Sequence, residues 1–115
     1  MNTEIVKKAI ELLETKGWTQ GAYARNADGA PIYRMEPEAC SFCLSGALSR
    51  AYMEMNENHD DEVDPFYEEF RNTRIGIIDI IRKKYGADQI ITFNDDDGRT
   101  KEEVVGLLKE ALNNG

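Results

Sequence analysis

Ile90-Ile91-Thr92-Phe93-Asn94-Asp95-Asp96-Asp97-Gly98-Arg99-Thr100-Lys101-Glu102-Glu103 carries the densest run of structural signals in the chain: an apolar stretch, an acidic turn and a helix start in succession. Asp and Asn side chains bond their own backbone in turns, so Asp96-Asp97-Gly98 reads as a solvated turn. Thr100 then opens a helix as a capping box, its hydroxyl accepting from the Glu103 N–H while the Glu103 carboxylate accepts from the Thr100 N–H. Val104, Leu107, Leu108 and Ala111 recur at the spacing of an inner helical face. The run before the turn, Gln89 to Phe93, is short and apolar and reads as a strand or extended segment.

Working back towards the N-terminus, Ile5, Val6, Ala9, Ile10, Leu12 and Leu13 predict a helix over Thr3 to Lys16 with a broad buried stripe. Gly17 follows it, and Trp18 falls where a Schellman motif would bring an apolar side chain back onto Leu13. Asn26-Ala27-Asp28-Gly29, flanked by Tyr23, Ile32 and Tyr33, is a turn signal for a hairpin or ordered loop, with Pro31 confined to an edge. Pro37 suits the first turn of a second helix running to about Asn56, along which Cys40, Cys43, Leu44, Ala47, Leu48, Ala51, Tyr52 and Met55 recur. Gly46 and Ala47 within it allow another backbone to approach closely.

Residues Glu57 to Asp64 form a polar, acidic connection expected to be the most mobile internal segment. Asp64-Pro65 supplies a cap and a first-position proline for a third helix with Phe66, Phe70, Ile77, Ile81 and Tyr85 on one face. The isoleucine-rich stretch Arg74 to Ile81 also has strand character. The continuing helical spacing, Arg82-Lys83-Lys84 at the negative end of the dipole and the Gly86 stop favour helix. The expected fold is therefore mainly α: about four helices in one compact domain over residues 1–115, with a short hairpin or minor β element.

Composition bounds the function. At 115 residues and 13.1 kDa, surface scaling gives roughly 6,400 Å² exposed when folded against about 19,000 Å² unfolded, enough burial for one core. The formal net charge of −8, from 14 Lys+Arg and 22 Asp+Glu, opposes binding to phosphate backbones and is compatible with a basic protein partner without requiring one. No apolar run approaches the ~18 residues of a membrane helix, and the N-terminus opens on a helix pattern instead of a leader, so a cytoplasmic protein without a membrane partner is expected.

Chemical signatures are sparse. The spacing of Cys40 and Cys43 is that of thiol redox motifs, but Pro37 would place Cys40 about one turn into the helix, and core packing is the favoured reading. One histidine, His59, limits both zinc ligation and triad chemistry. Setting Gly98 as the sixth residue of an EF-hand loop puts Phe93 first and Val104 last, so both required carboxylates are missing and no metal site is assigned. No phosphate loop, dinucleotide fingerprint or nucleophile elbow occurs, so no cofactor is expected and the balance leans against an enzyme.

Trp18-Thr19-Gln20-Gly21, Cys43-Leu44-Ser45-Gly46-Ala47-Leu48, and Phe93-Asn94-Asp95 with Gly98-Arg99-Thr100 resemble, in order and spacing, the small uncharacterised bacterial and phage proteins of the DUF6197 family. In that family a tryptophan often stands where Phe93 stands here, a departure that keeps an aromatic. The resemblance implies Trp18, Gln20, Asn94, Asp95, Arg99 and Thr100 as candidate binding residues. The alternative reading is that these six form a buried polar junction between the exit of the first helix and the entry of the last. Two functions compete. The first is a non-enzymatic accessory protein binding a basic protein partner, in its sharper form an anti-defence or DNA-mimic protein. The second is a small-molecule or nucleotide binder, or an enzyme, using the Trp18 and Asn94-Asp95 region.

Overall fold

A computed structural model of the chain describes residues 1–56 and 65–114. The element order is α1 (Thr3–Thr15), β1 (Ala24–Arg25), β2 (Ser41–Phe42), α2 (Leu44–Met55), α3 (Pro65–Tyr85), α4 (Ile90–Asp95) and α5 (Lys101–Asn114). The mainly α architecture with a minor β element is what these residues form, with five helices among the described residues where about four were expected. The acidic connection from Glu57, the histidine His59 and the cap at Asp64 lie outside the described residues.

Helix α1 starts where the Asn2 side chain accepts the Ile5 N–H at 3.0 Å, and its apolar stripe from Ile5 to Leu13 is buried. Gly17, at φ +149°, turns the chain out of the helix. Beyond Gly17, Trp18 packs against the core that includes Leu13, and its backbone forms a parallel bridge. The Gly17 carbonyl accepts the Phe42 N–H and the Phe42 carbonyl accepts the Thr19 N–H, both at 3.0 Å, so Trp18 runs beside β2.

The predicted turn forms, with Asn26 Oδ1 accepting the N–H groups of Asp28 and Ala30 at 3.0 Å each. After the turn, however, the returning chain makes only an isolated bridge at Pro31, and β1 pairs instead with β2, Ala24 opposite Phe42. That pairing corrects the second helix, expected from Pro37. Around Pro37 the chain makes two short turns, Glu36 N–H to Tyr33 and Ala39 N–H to Glu36. The N–H groups of Cys40, Phe42 and Cys43 then go to Arg25, Gly17 and Tyr23, leaving them unable to join a helical ladder. Helix α2 begins only at Leu44, capped by Cys43. Cys43 is accordingly buried but Cys40 is exposed, so the core-packing reading applies to one cysteine of the pair.

Helix α3 is unbroken over 21 residues, and Gly86 at φ +77° stops it by donating its N–H to the carbonyls of Ile81 and Arg82. Gln89 to Phe93, expected to be extended, is corrected to the start of α4. Ile90, Phe93 and Asn94 are buried while Ile91 and Thr92 are exposed, which is helical spacing and not alternation. The capping box is realised, Glu103 N–H to Thr100 Oγ1 at 3.1 Å and Thr100 N–H to Glu103 Oε1 at 3.0 Å.

One cluster of buried apolar residues joins these elements. Helix α1 packs against α2 and α5, α3 against α5, and the short α4 touches both α2 and α3. Among the described residues no helix is long and apolar enough to cross a membrane.

The close approach expected at Gly46 is realised: a β-carbon there would run into the Tyr23 carbonyl. Alanine normally stabilises a helical glycine position by about 1 kcal/mol. Here the sign reverses, and Gly46→Ala is expected to destabilise the protein by about 1–3 kcal/mol through overpacking against backbone. Urea unfolding curves of the variant and the wild type check this.

Candidate functional site

The C-terminal turn of α4 delivers Asn94, fully buried, to the point where α1's exit segment and α2's first turn meet. Its Oδ1 accepts from Trp18 Nε1 at 2.7 Å and from the Leu44 N–H at 2.9 Å. Its Nδ2 donates to the Thr19 carbonyl at 3.1 Å and to Asp95 Oδ1 at 2.9 Å. Indole and backbone N–H groups only donate, so the amide has one orientation, and all four of its hydrogen-bonding positions are used. Three segments, residues 18–19, 44 and 94–95, are held by this one side chain.

The remaining candidates assemble around it. Gln20 Nε2 donates to the carbonyls of Asn94 and Asp96, each at 3.0 Å, closing the end of α4. Asp95 Oδ1 accepts the Gly21 N–H at 3.1 Å as well as the Asn94 amide, and the carboxylate is otherwise turned outward on an exposed residue. The Arg99 guanidinium stacks 4.1 Å from the Phe93 ring centre and 4.6 Å from that of Tyr85, while its Nε donates to the Phe93 carbonyl at 2.9 Å. Thr100 is engaged in the cap of α5. Trp18, Gln20, Asn94 and Asp95 therefore form one network, and Arg99 and Thr100 secure its far side by fixing the turn between α4 and α5.

A cleft of about 270 Å³ opens beside this network, lined by Gly21, Ala22, Tyr23, Cys43, Ile91 and Asp95. Tyr23 and Ile91 are 49% and 41% exposed at its rim. Cys43 reaches it from the N-cap of α2. Burial is the main cause that pushes this thiol above its ordinary pKa, and the charge on Asp95 adds to it, against the lowering effect of the Gly46 and Ser45 N–H groups. The thiol is thus protonated and poorly nucleophilic at neutral pH. The first N–H groups of α2 are also taken. Leu44 donates to Asn94, Gly46 donates to Cys43 Sγ at 3.3 Å, Ser45 is turned to the same sulfur, and Ala47 donates to the Cys43 carbonyl. No helix-terminal cradle remains for an anion. Among the described residues no three His, Cys, Asp or Glu side chains converge to hold a metal.

Tyr23, Cys43 and Ile91 were not singled out for the site from sequence. The signal for Ile91 was its place four residues before Asp95, which on a helix puts the two side chains on one face. Reading the run as extended concealed it. Arg25 was also missed: its guanidinium donates to Thr19 Oγ1 and to the carbonyls of Gln20 and Gly29, holding the loop that forms one wall.

These features define a small, mainly α protein in which the exit of the first helix, the start of the second and the end of the fourth are tied together by one buried asparagine, with a shallow cleft beside Asp95. The chain belongs to the family of unknown function DUF6197, whose model matches residues 2–114. No curated protein and no solved structure matches it.

Asn94→Ala removes four hydrogen bonds and strands the buried Leu44 donor and the half-buried Trp18 donor, where an unsatisfied buried group costs about 1–3 kcal/mol. A loss above about 3 kcal/mol is expected in denaturant unfolding, with a change in the emission of the single tryptophan. Asn94→Asp, of the same shape, is expected to destabilise as well, because it turns an acceptor towards the Thr19 carbonyl and the Asp95 carboxylate.

Glu103 supplies the pH dependence. Its pKa lies below the ordinary 4.5, chiefly through the Thr100 N–H and then through Arg99. A depressed folded-state pKa contributes stability above the unfolded value that is lost as pH falls through the folded one. Glu103→Gln is therefore expected to flatten the stability profile below about pH 4.5 while leaving the slope near neutrality unchanged. Thermal unfolding across that range measures it.

Proposed function

We propose that this protein is a non-enzymatic accessory protein of bacterial or phage type, acting in the cytoplasm by binding a basic protein partner at the cleft beside Asp95. The observation that carries the reading is the cleft itself, with apolar walls from Ala22, Tyr23 and Ile91 and a carboxylate at its edge. Its volume, about 270 Å³, lies under the roughly 300–1,000 Å³ usual for small-molecule pockets and suits a side chain presented by another protein. Asp96 and Asp97, both exposed, follow Asp95 directly and extend the negative field around it. A protonated thiol and an occupied helix terminus give no support to nucleophilic or phosphate chemistry.

The sharper DNA-mimic form draws little support from the charge distribution. Helix α3 carries Glu68, Glu69 and Asp79 against Arg71, Arg74, Arg82, Lys83 and Lys84, and α2 carries Glu54 alone, paired with Arg50 at 2.7 Å. Five of the chain's acidic residues are concentrated in residues 57–64. A second reading, a small ligand at the same cleft, is favoured by Asp95 lining a concavity.

Affinity capture from bacterial lysate at low salt, run in parallel with wild type, Asp95→Asn and Ile91→Ala, tests the proposal. Asparagine keeps the acceptor for Gly21 and removes only the charge. A partner recovered by wild type, then purified, is expected to bind at least about tenfold more weakly to either variant, a difference of about 1.4 kcal/mol, and more weakly as salt rises. Equal binding to all three, or no partner at low salt, overturns it. A thermal shift with a nucleotide or divalent ion that Asp95→Asn abolishes would establish the second reading instead.

A further inference from the structure

The outward face of α3 exposes two large apolar side chains. Ile75 is 52% exposed and Tyr67 44%, and with Phe70, Arg71, Arg74 and Ile78 they line a shallow groove of about 200 Å³. The opposite face of the same helix, through Thr73, Ile77 and Ile81, is already buried in the core, and Phe70 and Ile78 at the groove's floor pack towards it, while Ile75 at the centre of the outward stripe stands half exposed. Arg71, Arg74, Ile75 and Ile78 have the spacing of the four residues that form a hole for an incoming side chain when two helices pack.

The charges on this face are arranged about Ile75 in a particular way. Arg71 and Asp79 stand four residues to either side of it, and Glu68 and Arg82 seven residues to either side. Steps of four and seven keep all of them on the face of Ile75. Each pair has opposite signs at equal distances, so the stripe is complementary to its own reverse. We infer that α3 is a self-association surface, on which a second copy of this chain docks antiparallel about a two-fold axis through Ile75. Each Arg71 then meets the partner's Asp79, and each Glu68 the partner's Arg82.

A two-fold interface must be self-complementary in this sense, since the same patch faces itself. The rearrangement needed is small. At present Arg71 pairs with Glu68 at 3.5 Å, Arg82 with Asp88 at 3.3 Å and Asp79 with Lys83 at 3.0 Å. All three are exposed pairs, a class worth about 0–1 kcal/mol, and they exchange for intersubunit pairs at little cost. Arg74, which would otherwise oppose its own symmetry mate, is drawn aside over the Phe70 ring, 5.9 Å from its centre. Two helices crossing over about four turns bury less than the ~1,200 Å² of a stable complex, so association in the range of about 10–100 µM is expected.

Sedimentation equilibrium on the full chain up to about 1 mM tests this. The weight-average mass of the wild type is expected to rise from 13.1 kDa towards twice that value. Arg71→Glu and Asp79→Arg should each weaken association about tenfold, and the two together should restore it to within about threefold, because the swapped charges meet again across the axis. Circular dichroism melting of these surface variants separates a folding defect from lost association. A wild type that stays at 13.1 kDa throughout, including one whose α3 face proves to hold a different protein, overturns the inference. So does self-association that the single swaps leave unchanged or the double swap fails to restore.

Discussion

A single buried amide sets the geometry of this protein. Asn94 is the one point at which the exit of α1, the start of α2 and the end of α4 meet, and each is held through a backbone or indole group that would otherwise be unsatisfied in the interior. Because its two acceptor and two donor positions face partners of the opposite kind, the amide cannot be replaced by a residue of similar size without leaving something unpaired. Gln20 and Asp95 then depend on it, one closing the carbonyl end of α4 and the other tying the loop at Gly21. The cleft is the space these constraints leave open.

Where sheet structure is minimal, arginine substitutes for it. Arg25 donates to the carbonyls of Gln20 and Gly29, Arg50 to those of Arg34 and Glu36, and Arg99 to that of Phe93. Arg25 and Arg50 hold non-helical segments by their backbone oxygens and Arg99 holds a carbonyl of α4, and Arg50 and Arg99 also lie against aromatic rings, of Phe42 and of Phe93 and Tyr85. A fork of five donors on a planar group suits this task better than a lysine ammonium. The consequence for the surface is that these cations face inward, while carboxylates such as Asp96 and Asp97 remain outside.

The helices with continuous periodicity were legible in the sequence: α1 by its stripe from Ile5 to Leu13, α3 by Phe70, Ile77 and Ile81, and α5 by its capping box. The isoleucines of α3 did not break it, because their spacing served the core whatever their intrinsic preference. What escaped was local structure decided from far away. Pro37 signals a helix start in isolation, but the N–H groups of Cys40, Phe42 and Cys43 are claimed by residues 15 to 25 positions earlier in the chain. The run Ile90 to Phe93 was too short for its period to be read until the burial of Asn94 fixed which residues face inward. Of the six residues implied for a site, four share one network with Asn94 at its centre. That connection joins positions 74 to 76 apart and has no signature in spacing.

That separation has a bearing on how the chain reaches its native state. The helices rest on contacts three or four residues apart and can flicker into existence on a sub-microsecond scale, before anything else is in place. The bonds of Asn94 to Trp18 and Leu44 span 76 and 50 residues, so they await closure of most of the polypeptide. Such non-local contacts slow folding because loop-closure entropy must be met before they can form. During synthesis, the bonds that Asn94 makes to the exit segment of α1 and to the first turn of α2 cannot form until residue 94 has emerged. Residues 18–19 and 44 therefore gain their last hydrogen-bond partner late, when the end of α4 docks between them.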